Sequence, residues 1–217
     1  MPIIDYGDPA ADTVLIQPVD AHDLAFPDRE FAMIRDAFHK PLRLLAFQVG
    51  DWNRALSPWE APPVFGKEGF GGDAAKTLAD ILPYCTDTSK TYYLGGYSLA
   101  GLFALWAASQ TEVFSGIAAA SPSVWFPRFT DYLQSHPLKA GSVYLSLGDK
   151  EEKTRNPLMS TVGSGIRSAF ALIKAQGIPC TLEWNPGNHF KDAELRCAKA
   201  FIWVLEHRGI ATLPQGS

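Results

Sequence analysis

The chemistry this chain could perform centres on one serine in a run that changes character on either side of it. Tyr92-Tyr93-Leu94-Gly95-Gly96-Tyr97 is short and apolar, Ser98 follows, and Leu99-Ala100-Gly101-Leu102-Phe103-Ala104-Leu105-Trp106 continues at helical length. A strand, a sharp turn and a buried helix read this way when a hydroxyl must stand at the tip of the turn. The residues two before and two after the serine must be small, because strand and helix backbones nearly touch there. Here they are Gly96 and Ala100. The usual pattern, G-x-S-x-G, ends in glycine, so Ala100 departs from it by one methyl. The plainer alternative is a structural strand–helix turn with a satisfied hydroxyl.

A serine hydroxyl is a poor nucleophile alone; it needs a base, and the base needs an orienting acid. On a doubly wound hydrolase sheet these follow in the chain order serine, acid, histidine. That order filters the histidines. His22 and His39 precede Ser98, and His136 lies before any suitable acid. His207 sits between Glu206 and Arg208 at a helix end, where a cation suits the dipole. His189, in Trp184-Asn185-Pro186-Gly187-Asn188-His189-Phe190, is therefore the expected base. The acid is expected in Gly148-Asp149-Lys150-Glu151-Glu152-Lys153, with Glu151 favoured, Asp149 its rival and Glu152 behind both. A solvated charged loop is the bland reading of the same segment. An oxyanion hole needs a pair of backbone N–H donors. Leu99, directly after the serine, is one candidate. Ala21, in Val19-Asp20-Ala21-His22, is the other, with Asp20 and His22 as candidate pocket residues.

These residues need a frame. Strand-length apolar segments run over 13–19, 42–49, 92–97, 116–121, 142–147 and 179–184. Helical patterns run over 28–39, 73–82, 166–176 and 192–208. Continuous apolar strands alternating with helices predict an α/β fold, a mostly parallel sheet of about six strands covered on both faces. Without repeats or linkers, residues 1–217 read as a single domain. In such a sheet a ligand sits at the carboxyl ends of the strands, where all the candidates above fall.

Composition narrows the classes. The chain has 217 residues, 47% hydrophobic and 19% charged, a globular balance. A net charge of −4 with no basic stripe gives no footprint for nucleic acid. No apolar run approaches the roughly 20 residues that cross a bilayer, and the first residues carry no positive, then apolar, secretory pattern. Three cysteines without C-x-x-C spacing favour a reducing compartment and buried thiols, with the cytoplasm as the expectation. No H-E-x-x-H or comparable cluster occurs, so neither a metal nor a cofactor is expected.

With these residues in hand, the chain resembles the esterase D-like esterases of the α/β-hydrolase superfamily, which include siderophore esterases and S-formylglutathione hydrolases. The resemblance spans about Thr13 to Leu205. It rests on the elbow, on Gly187-Asn188-His189, and on two further segments. Trp52-Asn53-Arg54-Ala55-Leu56-Ser57-Pro58-Trp59 is similar to the family loop that ends L-[ST]-P-W, and Ala120-Ser121-Pro122-Ser123-Val124-Trp125-Phe126 is similar to its S-P-S-x-W segment. The resemblance implies an α/β-hydrolase fold with Ser98 as nucleophile, Glu151 (or Asp149) as acid and His189 as base. It implies a serine esterase working through an acyl-enzyme. The chain looks like a version shortened before the oxyanion strand, whose exposed edge a second copy could cover as a homodimer.

The pocket candidates are aromatic. Trp52, Phe65, Phe70, Trp125, Phe126 and Phe190 could wall a cleft beside Ser98, whereas Trp59 reads as packing. Tyr97 adjoins the serine. Arg54 and Arg155 could receive a substrate carboxylate or tie down loops, and Asn156 and Met159 could close the far side. No insertion resembles a lid, which favours small or extended soluble esters. The other readings are an acyltransferase using the same triad, and a hydrolase scaffold kept only for binding.

Overall fold

A computed structural model describes residues 1–22, 25–64 and 66–207. Phe65 and the Arg208 end of the last expected helix lie outside the described residues. The elements follow in the order β1 (Ile3–Gly7), β2 (Thr13–Asp20), α1 (Ala25–Phe38), β3 (Arg43–Val49), α2 (Trp52–Leu56), β4 (Glu60–Ala61), β5 (Phe70–Gly71) and α3 (Ala74–Ile81). They continue with β6 (Thr91–Tyr97), α4 (Leu99–Gln110), β7 (Phe114–Ala120), α5 (Phe129–Ser135), β8 (Val143–Gly148), α6 (Val162–Ala175), β9 (Cys180–Asn185) and α7 (Ala193–Glu206).

The main sheet has the order β1-β3-β2-β6-β7-β8-β9. All neighbours are parallel except β1, which runs antiparallel to β3. The sheet thus has seven strands, one more than the apolar runs outline. The added strand, Ile-Ile-Asp-Tyr-Gly, is short and at most half-buried, so it lacks the continuous apolar stretch that marks the inner strands. It also changes the expected edge. The strand taken as the exposed edge is β2, and it lies inside the sheet between β3 and β6. β2 therefore offers no open edge for a second copy to cover; the sheet ends at β1 and β9.

Side-chain alternation along the strands builds a core on each face. Val14, Ile16, Leu45, Phe47, Leu94, Ile117, Ala119 and Leu145 face the layer containing α3, α4 and α6. Leu15, Leu44, Tyr93, Ala118, Ala120 and Tyr144 face α1 and α7. Helix α4 is buried continuously from Leu99 to Ala108. That is why its sequence is apolar all round, with no polar stripe. Helix α5 and the small β4–β5 pair, not outlined by the apolar pattern, are too short for periodicity to register. Of the cysteines, Cys85 and Cys197 are buried and free, whereas Cys180 is free but only half-buried. No helix among the described residues is long and apolar enough to cross a membrane.

Candidate active site

Ser98 stands between β6 and α4 with φ 57° and ψ −119°, a conformation that costs a side-chain-bearing residue of the order of 1–3 kcal/mol. The small neighbours explain how the turn closes. A Cβ placed on Gly96 would lie 2.5 Å from the Ala100 Cβ, so one of the two positions can carry a methyl but not both. Alanine at 100 is therefore compatible with the elbow because glycine stands at 96.

The loops at the carboxyl ends of β8 and β9 bring two more groups to the serine. His189 Nε2 lies 2.9 Å from Ser98 Oγ, and His189 Nδ1 lies 2.7 Å from Glu151 Oε2. An ionised carboxylate only accepts, so Nδ1 carries the proton and Nε2 is left to accept from the serine hydroxyl. Burial alone would push the Glu151 carboxyl up. The hydrogen bond and charge of His189, together with the Gly148 N–H and the Ser121 hydroxyl, outweigh it and hold the group below the usual carboxylate range. Glu151 is 7% exposed. Its rival has different work. Asp149 Oδ1 accepts from the Gly187 N–H at 2.7 Å, which ties the β8 loop to the loop carrying the histidine.

Behind Glu151 sits a residue absent from the sequence reading. Arg196, on α7, is 1% exposed. Its Nη1 donates to Glu151 Oε1 at 2.9 Å and to Ser121 Oγ and Tyr97 Oη at 3.2 Å each. Its Nη2 donates to the Asn188 and Pro186 carbonyls at 3.0 and 3.3 Å. One guanidinium thus joins Glu151 to the backbone on either side of Gly187 in the loop that carries His189, a use that suits its rigid planar fork. A signal was present: Arg196 shares the buried stripe of α7 with Ala200 and Val204, four and eight residues on, where a charge is out of place without a partner.

The S-P-S-x-W segment places alternate side chains on the site. Ser121, with φ 42°, donates to Glu151 Oε1 at 2.9 Å. Ser123 Oγ lies 3.2 Å from Ser98 Oγ, and its N–H donates to the Ser98 carbonyl at 3.1 Å. Trp125 lines the cleft. The Tyr97 hydroxyl donates to the His189 carbonyl at 2.6 Å, and burial pushes its pKa well up, so it stays a neutral donor. Tyr97 thus supports the loop that carries His189 and lies outside the lining of the main cleft.

That cleft has a volume of about 590 Å³. Trp52, Phe70, Trp125, Met159 and Phe190 form its apolar walls, and Ser98, Leu99, Ser123, Lys150, Lys153 and His189 also line it. Phe190 is 87% exposed at its mouth. Phe126 is buried beneath the cleft and packs on Phe70. Trp59 donates from Nε1 to the Pro127 carbonyl and packs at tilted ring angles among Phe126, Phe129 and Tyr132, a packing role. Asn156 holds the neighbouring loops through the Val64 carbonyl and the Leu158 and Met159 N–H groups.

Two expectations are corrected. Arg54 does not reach the cleft. It pairs with Asp51 and Asp73, and its stem covers Gly71, so its charge and packing close the loop after β3. Ala21 is not free to serve as an oxyanion donor, because its N–H donates to the Val49 carbonyl at 3.2 Å and extends the β2–β3 ladder. Leu99 opens α4, where the first N–H groups have no intrahelical partner and the dipole favours negative charge. Among the described residues no cluster of three or more His, Cys, Asp or Glu side chains could hold a metal ion.

No protein-family model and no curated protein matches this sequence. Solved structures do. A siderophore hydrolase, EstA, from Aspergillus nidulans is 19% identical, with 92% of this chain and 85% of that chain covered and a TM-score of 0.68. An IroE-like serine hydrolase from Shewanella oneidensis is 13% identical, with coverages of 94% and 75% and a TM-score of 0.74. An Agrobacterium tumefaciens protein of unknown function, described as an α/β hydrolase, is 15% identical, with coverages of 95% and 90% and a TM-score of 0.60. The chain has the α/β-hydrolase fold.

Proposed function

We propose that this protein is a serine hydrolase that cleaves carboxylic esters of small or extended soluble molecules. The single observation that carries the reading is the unbroken line from Ser98 Oγ through His189 to the Glu151 carboxylate, at 2.9 and 2.7 Å. It opens on a cleft of about 590 Å³ with room for an ester of some size. The similarity in shape to a siderophore hydrolase and an IroE-like serine hydrolase supports the same reaction class.

In this reading Ser98 Oγ attacks the ester carbonyl carbon as its proton passes to His189 Nε2. Glu151 keeps the imidazole in the required tautomer and balances the imidazolium that forms. The carbonyl oxygen becomes an oxyanion beside the Leu99 N–H at the start of α4. Collapse breaks the carbon–oxygen bond, the alcohol leaves with the proton from His189, and an acyl-serine remains. Water, deprotonated by His189, then releases the acid and regenerates Ser98.

The test is fluorophosphonate labelling of the intact protein, read by mass spectrometry, alongside hydrolysis of an ester panel. The expected result is one adduct on Ser98, absent in Ser98→Ala and His189→Ala, with kcat lowered on the order of 10⁴- to 10⁶-fold in the serine variant. Folded wild-type protein that neither labels nor hydrolyses any ester refutes the reading.

A further inference from the structure

Ser123 sets a second hydroxyl beside the nucleophile, one that a serine, a base and an acid do not need. It is 2% exposed and lines the large cleft. Its backbone is fixed on both sides: the N–H donates to the Ser98 carbonyl at 3.1 Å, and the carbonyl accepts from the Phe126 N–H at 2.9 Å. A Cβ on Gly101 would lie 3.2 Å from Pro122, so α4 rests directly on the segment that carries Ser123. Other serines return their hydroxyls to a backbone carbonyl, as Ser57 does to Asn53 and Ser109 to Trp106. Among the described residues the Ser123 hydroxyl has one hydrogen-bond partner, Ser98 Oγ at 3.2 Å.

The protons give that bond its direction. Ser98 donates to His189 Nε2, because Nδ1 keeps its own proton against Glu151. Ser98 Oγ therefore accepts from Ser123. Cβ, the proton to His189 and one lone pair to Ser123 occupy three directions of a tetrahedral oxygen, and the lone pair left over meets the carbonyl carbon. At 3.2 Å the contact is longer than the usual hydroxyl pair at about 2.7–2.8 Å, so a neutral Ser98 gains little from it. An oxygen that acquires negative charge draws such a donor in to about 2.5–2.7 Å and roughly doubles its strength. A donor that strengthens only as charge develops acts on the transition state more than on the ground state.

Charge builds on Ser98 Oγ when it is the leaving group, in hydrolysis of the acyl-enzyme. We propose that Ser123 is a further catalytic residue, whose hydroxyl stabilises Ser98 Oγ as it departs from the acyl group. This rests on the ester-hydrolase reading above. Water adds to the acyl carbon as its proton passes to His189 Nε2. The carbon–Oγ bond then breaks, its electron pair stays on Oγ, and His189 returns the proton there. Ser123 keeps its own proton throughout and donates only a hydrogen bond. In acylation by an activated ester the same oxygen is the attacking group, and a donor on its lone pair gives no help. Loss of the hydroxyl therefore slows one half of the cycle.

The experiment is stopped-flow hydrolysis of p-nitrophenyl acetate and p-nitrophenyl butyrate by the wild type and Ser123→Ala, with acylation and deacylation rate constants measured separately. Ser123→Ala leaves both backbone hydrogen bonds of the residue in place. Deacylation is expected to slow about tenfold, the worth of a hydrogen bond to a charged oxygen, while acylation stays within about twofold. kcat and KM should then fall together with kcat/KM near the wild-type value, and acyl-Ser98 should accumulate in quenched protein by mass spectrometry. Fluorophosphonate labelling, which involves only the attacking step, should keep its wild-type rate. Equal losses in acylation and deacylation mean a displaced nucleophile and overturn the assignment, as do two unchanged constants. Wild-type protein that neither takes fluorophosphonate nor forms an acyl-enzyme overturns the hydrolase reading itself, whereas labelled, active protein without the kinetic split overturns the role of Ser123 alone.

Discussion

Replacing Glu30 by glutamine tests whether a buried carboxyl governs the pH dependence of folding. Glu30 is fully buried on α1 against Gln17, and burial, as the largest influence, raises its pKa from 4.5 to about 8. In the unfolded chain it titrates at the ordinary value. Between those pH values the folded protein holds a proton that the unfolded chain has lost, so stability falls as pH rises. The contribution is fully present below about 4.5 and is lost progressively as pH rises to about 8. Each unit of separation is worth 1.36 kcal/mol, so from pH 5 to pH 8 the loss comes to about 3 kcal/mol. Glu30→Gln keeps the size and the hydrogen-bonding capacity but cannot titrate. The variant should match the wild type within about 1 kcal/mol at pH 5 and exceed it by about 3 kcal/mol at pH 8. Urea unfolding of both proteins at pH 5, 6, 7 and 8 reads this directly, and taking the difference cancels groups such as Glu151 that titrate in both. A difference that stays constant across that range refutes the reasoning, because it would mean Glu30 is already ionised in the folded state.

Arg196→Met removes a buried cation from beside Glu151 and should cost on the order of 3–5 kcal/mol of stability in urea unfolding. Where the variant is folded, kcat should fall about 100-fold with KM little changed, as a misplaced acid and base loop predict. Arg196→Lys should recover part of kcat, since it restores the charge but not the fork; no recovery would mean that position alone matters. Glu151→Ala should lower kcat on the order of 10⁴-fold, whereas Asp149→Ala, which only frees the Gly187 N–H, should cost about tenfold. Equal losses in the two variants would refute this division of labour between the carboxylates.

The inner strands and the long helices were legible because each carries its own signature over enough residues. β2, β3, β6, β7 and β8 are buried nearly end to end, and α4 is apolar on every side. β1 was not legible, because half its surface is open and its partner β3 lies nearly forty residues away in the chain. At the site, the elbow could be read because its steric demand falls on close neighbours, Gly96 and Ala100. The order of serine, acid and histidine further singled out His189. Arg54 went the other way: a cation near an aromatic loop suits a substrate as well as it suits a carboxylate, and although Asp51 stands three residues before it, only the fold brought Asp73 against it.

The sequence by itself determined where the strand–turn–helix that carries Ser98 stands and what kind of sheet presents it, since both depend on contacts within a few residues. Tertiary structure alone set Glu151 against the His189 ring and Asp149 against the Gly187 N–H, although the two sit two apart on one loop. It also turned the Ala21 N–H into a ladder bond and buried Arg196 and Gln17 against partners on other elements. Those outcomes are set by directions in space, and hydrogen bonds between residues dozens of positions apart leave no spacing in the chain to read.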